Sequence, residues 1–112
     1  MVESRSNHLD KVFRALAHPA RREILRRIAR HERTVTELAG PFDMSLEAVS
    51  KHVQVLERAR LLRRTRRGRA HHCRLGPAPL RDAAKVLAEL AGLWHRRLDA
   101  LEQLLGDLEV KE

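Results

Sequence analysis

The residues that could bind a charged partner are concentrated in one arginine-rich window, residues 51–74. Residues 51–74 contain nine Lys or Arg against one acidic residue, whereas residues 1–50 contain nine against seven and residues 75–112 five against seven. The net charge of +8 therefore comes, on balance, from this one short window, because the charges of the other two segments cancel. A preference for arginine, 19 Arg against 4 Lys, explains the choice of cation but not the loss of Asp and Glu from the same window. A basic stripe on an otherwise balanced chain is typical of a polyanion-binding edge.

Histidine and cysteine offer little further chemistry. The single cysteine, Cys73, excludes an internal disulfide and a cluster of thiolate metal ligands within one chain. His71, His72 and Cys73 lie on a predicted strand, where alternate side chains point to opposite faces, so they cannot converge on one ion. His95 stands alone on the last predicted helix. Because the chain also lacks a glycine-rich phosphate loop and a Cys/His pair at catalytic spacing, we predict no catalytic residue, no metal site and no cofactor.

Two helices are predicted before the basic window. Residues 7–17 carry apolar side chains at three- and four-residue spacing, which is typical of an amphipathic helix. His18-Pro19 ends that helix, because the residue before a proline avoids the helical region, while Pro19 suits the first position of a second helix. We interpret the arginines of the second helix as a solvated rim.

A helix-turn-helix is predicted over about residues 34–58. Thr34 and Glu37 have the spacing of a capping box, which starts a short third helix. A turn over residues 40–44 separates it from a fourth helix, for which Ser45 supplies the cap. Apolar residues recur along one side of the fourth helix, and the predicted buried stripe consists of Leu46, Val49, Val53 and Leu56.

A β-hairpin and one long helix complete the fold prediction. Leu61-Leu62 is expected to close the fourth helix, and residues 62–75 to form a two-stranded wing whose turn takes its positive φ from Gly68. A glycine- and proline-rich breaker precedes a last helix of about residues 78–108, with apolar residues repeating every seven and four positions. The predicted fold class is mainly α with a small β-hairpin: one winged helix-turn-helix domain, residues 1–112, with about five helices and a two-stranded wing.

The outer face of the fourth helix holds the candidate DNA-reading residues. Small Ala48 would let the helix approach base edges, while Gln54 could bond adenine and Lys51 could bond guanine or phosphate. Glu47 is interpreted as a helix cap, with acceptance from a cytosine amino group as the alternative. The arginines of the wing would lie against the flanking backbone or the minor groove. The predicted DNA-contacting residues are Ser45, Glu47, Ala48, Ser50, Lys51, His52, Gln54, Arg66, Arg67 and Arg69, with Val55 on the same outer face.

Three segments carry a family resemblance: FRALAHPARREIL at residues 13–25, TVTELA at 34–39 and MSLEAVSKHVQVL at 44–56. They are similar to the ArsR-type family of bacterial winged-helix repressors. The resemblance extends from about residue 9 to 105 and implies a homodimeric, cytoplasmic repressor that reads an inverted repeat, with the first and last helices forming the dimer. Gly68-Arg69 and Leu93-Trp94 to Leu105 resemble a subgroup of that family without metal sites. Metal-sensing members carry a Cys-x-Cys-type motif on the third helix, which here reads TELAG and has no thiolate.

Two residues depart from that family pattern. Cys73 stands where the family often has an aromatic side chain, and we interpret it as a small packed residue, with a redox sensor as the alternative. His18 replaces the acidic helix cap common in the family, which predicts a locally weaker cap.

A symmetric dimer is also expected on physical grounds. One helix-turn-helix makes few base contacts, so two copies about 34–36 Å apart usually share an operator. The apolar stripe of the last helix is broader than one small domain can cover. The predicted interface consists of Leu9, Val12, Phe13, Leu87, Trp94, Leu98, Leu101 and Leu105.

The expected partners are double-stranded DNA and a second copy of the chain, with no membrane and no evident small-molecule or metal effector. No segment reaches the roughly 18 consecutive apolar residues of a membrane span, and residues 1–5 lack the apolar run of a secretion signal, so a cytoplasmic location is expected. One alternative is a basic protein that binds nucleic acid without sequence choice, although aromatic stacking residues make up only 3% of the chain. Another is a helical adaptor that binds a protein through the last helix.

Overall fold

The chain folds as five helices and three short strands in the computed structural model, which describes residues 2–40 and 44–110, with side chains for 7–40 and 44–108. The order is α1 (Val2–Leu16), α2 (Pro19–Arg30), β1 (Arg33–Thr34), α3 (Val35–Ala39), α4 (Leu46–Arg58), β2 (Leu62–Arg67), β3 (Ala70–Leu75) and α5 (Pro77–Val110). The predicted fold class, a winged helix-turn-helix that is mainly α, is confirmed. Of the predicted turn 40–44, residues 41–43 lie outside the described part.

Side-chain caps fix the starts of three helices. The Thr34 hydroxyl accepts from the Glu37 N–H at 3.1 Å and the Glu37 carboxylate accepts from the Thr34 N–H at 3.2 Å, so the predicted capping box is present. The Ser45 hydroxyl accepts from the Ala48 N–H at 3.1 Å, as predicted for α4. His18 does cap α2, because its Nδ1 accepts from the Ala20 N–H at 3.1 Å. The His18 imidazole nitrogen therefore accepts the hydrogen bond that a carboxylate would accept from an acidic cap.

One apolar core lies between the helices and the inner face of the sheet. The predicted stripe on α4 holds for Val49, Val53 and Leu56, which are at most 1% exposed, but not for Leu46, which is 52% exposed. Leu46 is the first residue of α4, and its side chain lies in the groove beside the wing instead of in the core. Val55, expected on the outer face, is half-buried and packs against the core.

Helix α4 ends at Arg58, in agreement with the predicted helix-turn-helix of about residues 34–58, but Leu61-Leu62 is not what closes it. Arg60 adopts a left-handed φ of 62°, the Arg60 N–H donates to the Glu57 carbonyl at 3.0 Å, and the Leu61 N–H donates to the Leu56 carbonyl at 3.0 Å. These are the two hydrogen bonds of a Schellman motif, which ends the helix at Arg58. Leu61 and Leu62 are both buried, and Leu62 already starts β2.

The predicted two-stranded wing is present, and a third strand that was not predicted joins it in one sheet. Strands β2 and β3 pair antiparallel from Leu62↔Leu75 to Arg67↔Ala70, and Gly68 takes a φ of 63° in the turn, as predicted. Strand β1 adds to the other edge of β3, so the sheet order is β1-β3-β2. Two residues are too few for any alternation of polar and apolar side chains, which explains why the sequence does not reveal β1.

Helix α5 leaves the rest of the protomer after its first turns. Ala83 is buried and Leu80 packs against the core, whereas the large apolar side chains from Leu87 to Leu108 are all between 38% and 63% exposed. The protomer is accordingly elongated, with extents of 74 × 37 × 21 Å. The predicted excess of apolar surface on this helix is present.

Gly76 lies at the connection between the wing and α5, where the backbone leaves no room for a side chain. A Cβ atom at this position would lie 2.4 Å from the Arg60 carbonyl oxygen, while the Gly76 N–H donates to the Leu61 carbonyl at 2.8 Å. Because both neighbours are backbone atoms, we expect Gly76→Ala to lower the free energy of unfolding by about 1–3 kcal/mol in urea denaturation. Gly106→Ala is the control, since no atom would lie within 4 Å of its Cβ. Equal stability of the two variants would contradict this close approach.

Candidate nucleic-acid interface

Helix α4 turns its polar side away from the core. Val49, Val53 and Leu56 anchor it, and the opposite side exposes Glu47, Lys51 and Gln54. Ala48, Ser50 and His52 are half-buried along its flanks, and Ser45 at the N-cap is exposed. The helix therefore presents small and polar side chains to solvent, which is the arrangement that a helix needs to enter a major groove.

An open groove of about 420 Å³ runs between α4 and the wing. Of the predicted residues, Ser50 and Gln54 of α4 and Arg69 of the wing line it together. Thr36 of α3 and Arg64 of β2 also line it, and neither was predicted. The structure thus brings the exposed side of α4 and the end of the wing to the two walls of one groove.

The three predicted wing arginines differ in what holds them. The Arg66 Nε–H donates to the Gly68 carbonyl at 3.1 Å across the turn. Arg67 Nη2 lies 3.5 Å from Glu32 Oε1, and its side chain remains 62% exposed. Arg69 is exposed and makes no ion pair in the part of the chain that is described. Exposed ion pairs contribute at most about 1 kcal/mol, so DNA phosphates can replace Glu32 as the partner of Arg67.

Two acidic residues outside the predicted site form ion pairs with side chains of the wing. Glu32 Oε1 contacts both Arg67 and His72, at 3.5 and 3.4 Å. Glu57, near the end of α4, pairs with Arg64 of β2 at 2.7 Å. Strand alternation could have indicated Arg64, because it shares the inner face of β2 with buried Leu62.

His52 is only partly available to DNA, because its ring faces the N-terminus of α2. Its centroid lies 4.5 Å from that of His18, and Arg21 Nη1 lies 3.4 Å from His52 Nδ1. Burial, followed by the positive neighbours His18 and Arg21, lowers the pKa of His52 below its ordinary value. The predicted DNA-contacting role of His52 therefore competes with this packing role.

The predicted solvated rim of α2 holds for exposed Arg26 and Arg30, whereas Arg21 and Arg22 at the start of the helix are also tied to α1. Arg21 donates from Nε to the Ala15 carbonyl at 2.7 Å and from Nη2 to the Arg14 carbonyl at 2.9 Å. Arg22 Nη1 donates to the Leu16 carbonyl at 2.8 Å. These guanidinium groups cap the last carbonyls of α1, where a cation is also favoured by the helix dipole.

Cys73 is a packed core residue. It is fully buried, and burial raises the pKa of its thiol to about 11, although the nearby Arg64 charge lowers it. A thiol with this pKa is protonated at neutral pH, whereas oxidation proceeds through the thiolate. Among the described residues, no three His, Cys, Asp or Glu side chains lie close enough together to hold a metal ion.

The residues predicted for the dimer fall into three groups. Val12 is fully buried and belongs to the core of its own protomer, so it has no surface to offer a second copy. Leu9 and Phe13 on α1 are half-buried. The α5 residues are exposed and form the protruding apolar stripe: Leu87, Trp94, Leu98, Leu101 and Leu105.

Of the helices in the described ranges, none combines the length and the hydrophobicity of a membrane span.

The fold and the exposed face of α4 define a winged helix-turn-helix transcriptional regulator, and residues 16–65 match the family described as a helix-turn-helix domain. The chain is 35% identical over 96 residues to the HTH-type transcriptional regulator Rv2034 of Mycobacterium tuberculosis, a match that covers 86% of this chain and 87% of that protein. The crystal structure of an ArsR family transcriptional regulator, RHA00566, is 39% identical with a TM-score of 0.75, over 80% of this chain and 93% of its own. The chain belongs to the ArsR family of transcriptional regulators.

Two more distant similarities concern assembly and regulation. A protein described as the transcriptional repressor SdpR of Bacillus subtilis is 28% identical over 67% of this chain and 83% of its own length. The solution structure of the winged helix-turn-helix domain of Mb0332 from Mycobacterium bovis, described as homodimeric, is 26% identical with a TM-score of 0.64, over 86% of both chains.

The lowered pKa of His52 predicts a dependence of stability on pH. The folded protein binds a proton on His52 less readily than the unfolded chain, in which the pKa of this histidine is about 6.5. The contribution of neutral His52 to the free energy of unfolding is therefore fully present above that pH. It is lost as the pH falls from about 6.5 through the lower folded pKa. We expect the midpoint of thermal unfolding to fall less between pH 7.5 and pH 5 in His52→Gln than in the wild type. His95→Gln, a change at an exposed histidine of α5, should follow the wild type, and equal slopes for all three proteins would refute the assignment.

Proposed function

We propose that the protein is a homodimeric repressor that reads an inverted repeat in double-stranded DNA, with the whole chain forming one winged helix-turn-helix domain. The observation that carries this proposal is the orientation of α4. Its apolar side is anchored in the core by Val49, Val53 and Leu56, which aims Lys51 and Gln54 outward beside a basic wing. A rigidly held helix with this outer face can lie in a major groove while the wing contacts the neighbouring backbone.

The proposed contacts divide by chemistry. Gln54, Lys51 and Ala48 face base edges, where amide, ammonium and small side chains supply direct readout. Ser45 and Ser50 hold phosphates near the N-terminus of α4, and Glu47 in the first turn interacts favourably with the helix dipole. The wing residues Arg66, Arg67 and Arg69 supply sequence-independent attraction to phosphate. His52, at the flank of α4, can contribute a hydrogen bond to the DNA backbone.

The proposed dimer forms through α5 together with the half-buried side chains of α1. The exposed stripe from Leu87 to Leu108 is continuous along the outer part of α5, and a stripe of this length is rare on a monomer's surface. A symmetric pair is the usual form of such an assembly, and the homodimeric description of the Mb0332 domain supports a dimer.

Repression follows from occupying DNA that polymerase or another regulator needs, and the description of SdpR as a repressor supports this mode. Access to the chromosome places the proposed activity in the cytoplasm. No cofactor takes part in the proposed activity, because base reading and phosphate contact need only the side chains of α4 and the wing.

Substitutions on α4 and on the wing should have different effects on DNA binding. The operator is first isolated by selecting bound fragments of the source genome at one stated salt concentration. We expect Lys51→Ala and Gln54→Ala to weaken binding to that operator more than binding to a random duplex. Arg69→Ala should weaken both equally and reduce the slope of log Kd against log salt by about 0.9 for one lost phosphate contact.

Fluorescence anisotropy at four salt concentrations measures both effects, and Arg96→Ala on the polar side of α5 is the matched control for loss of an exposed arginine. Equal losses on operator and random duplex for the α4 variants would instead support the basic protein that binds nucleic acid without sequence choice. Stronger binding to single-stranded than to double-stranded competitor would support the same alternative.

The α5 stripe should determine the oligomeric state. We expect the double variant Leu101→Glu, Leu105→Glu to sediment as a monomer at concentrations at which the wild type is a dimer, because four charges would be buried at the interface. Both residues are about half exposed in the protomer, so the helical circular dichroism of α1 to α4 should persist. Glu102→Gln and Gln103→Glu provide a control on the polar side. A wild type that sediments as a monomer at every concentration would overturn the proposed dimer.

A further inference from the structure

A two-pronged ion pair joins the wing to α4. Arg64 Nη2 donates to Glu57 Oε1 at 2.7 Å, and Arg64 Nε donates to Glu57 Oε2 at 3.4 Å. Glu57 lies in the last turn of α4, and Arg64 lies in the middle of β2. The side chains are 39% and 22% exposed, so the pair lies at the margin of the protein instead of in open solvent. Planar pairing of this kind fixes the relative orientation of the two groups as well as their distance.

The position of Arg64 on the strand explains why it points to the helix. Alternation along β2 places Arg64 on the same face as buried Leu62, and its register partner on β3 is the fully buried Cys73. Arg64 therefore occupies the place where the apolar inner face of the sheet ends and the groove beside α4 begins. The hydrogen bond that Arg64 donates to Glu57 raises the pKa of Arg64 above its ordinary value, which keeps the guanidinium charged.

Glu57 is unusual by its sequence position. It is the single acidic residue among residues 51–74, which otherwise carry nine basic residues. A carboxylate in this window opposes the approach of a polyanion through its charge alone. Its contact with Arg64, by contrast, links the last turn of the exposed helix to the wing strand.

We propose that Glu57 and Arg64 are positioning residues for DNA binding: their ion pair sets the angle between α4 and the wing, so that both meet one duplex at the same time. Arg64 acts through the wing and makes no phosphate contact of its own. This inference rests on the proposed function, because it concerns how the two walls of the same interface are held.

The sign of one substitution separates this role from simple electrostatics. Glu57→Gln removes a negative charge from the basic window, which would tighten DNA binding if charge alone mattered. Loss of the orienting pair predicts the opposite, and we expect operator binding to weaken about five-fold, the effect of a partly exposed ion pair at the upper end of its usual range. Asp82→Asn is the matched control, because Asp82 lines the same cavity as Glu57 and Arg64 and the charge change is identical.

Substitutions of Arg64 provide a second readout. We expect Arg64→Lys to weaken operator binding as much as Arg64→Gln does, since lysine keeps the charge but cannot form the fork. The slope of log Kd against log salt should remain that of the wild type in both variants. A phosphate-contacting Arg64 would instead tolerate lysine and lose about 0.9 of slope in Arg64→Gln. The double variant Glu57→Gln, Arg64→Gln should lose no more affinity than either single variant, because both remove the same pair.

The experiment is fluorescence anisotropy of the full chain with the operator duplex selected by the wild type. Thermal unfolding of each variant, with measurement temperatures at least 20 °C below every midpoint, ensures that the proteins compared are folded. Tighter or unchanged binding by Glu57→Gln overturns the positioning role, as does rescue by lysine. A wild type that shows no preference for any selected duplex over random DNA refutes the proposed function instead, so the two failures are distinguishable.

Discussion

The structure depends on the burial of one side of α4. Val49, Val53 and Leu56 are together almost fully removed from water, and at about 25 cal/mol per Å² of apolar surface this burial fixes how the helix is rotated about its axis. A helix that must bury one side has to present the other. The exposure of Lys51 and Gln54 is therefore a consequence of core packing, and any substitution that rotates α4 would change both sides together.

The electrostatics of the wing follow a similar logic on a smaller scale. Residues 51–74 concentrate positive charge, yet two acidic residues contact the wing: Glu32 pairs with Arg67 at the end of β2, and Glu57 pairs with Arg64 in the middle of β2. Each pairs with one arginine and leaves the others exposed. Mutual repulsion among the arginines is thus reduced locally, while the long-range field that attracts a polyanion is retained.

Much of the fold could be predicted because helix caps and apolar periodicity are local signals. The capping box at Thr34 and the turn glycine Gly68 are local in this sense, and the structure confirms both. The features that were not predicted are ones that local sequence patterns do not encode. Leu46 is exposed because the helix starts beside the wing, and Arg60 ends α4 in a left-handed conformation that usually requires glycine. The contacts of His52 with α2 depend on how two helices meet, which spacing within one helix does not encode.

The left-handed Arg60 also explains how α4 and α5 are connected. Its Schellman hydrogen bonds close α4, the Leu61 carbonyl that follows accepts from Gly76 at 2.8 Å, and α5 begins at Pro77. The end of α4, the first residue of the wing and the start of α5 therefore meet within a few backbone atoms. A left-handed non-glycine residue costs about 1–2 kcal/mol, and burial of Leu61 and Leu62 on the far side of the turn offsets that cost. This joint is therefore one connection between α5 and α4 made of backbone hydrogen bonds, and the packing of α1 against both helices is a second.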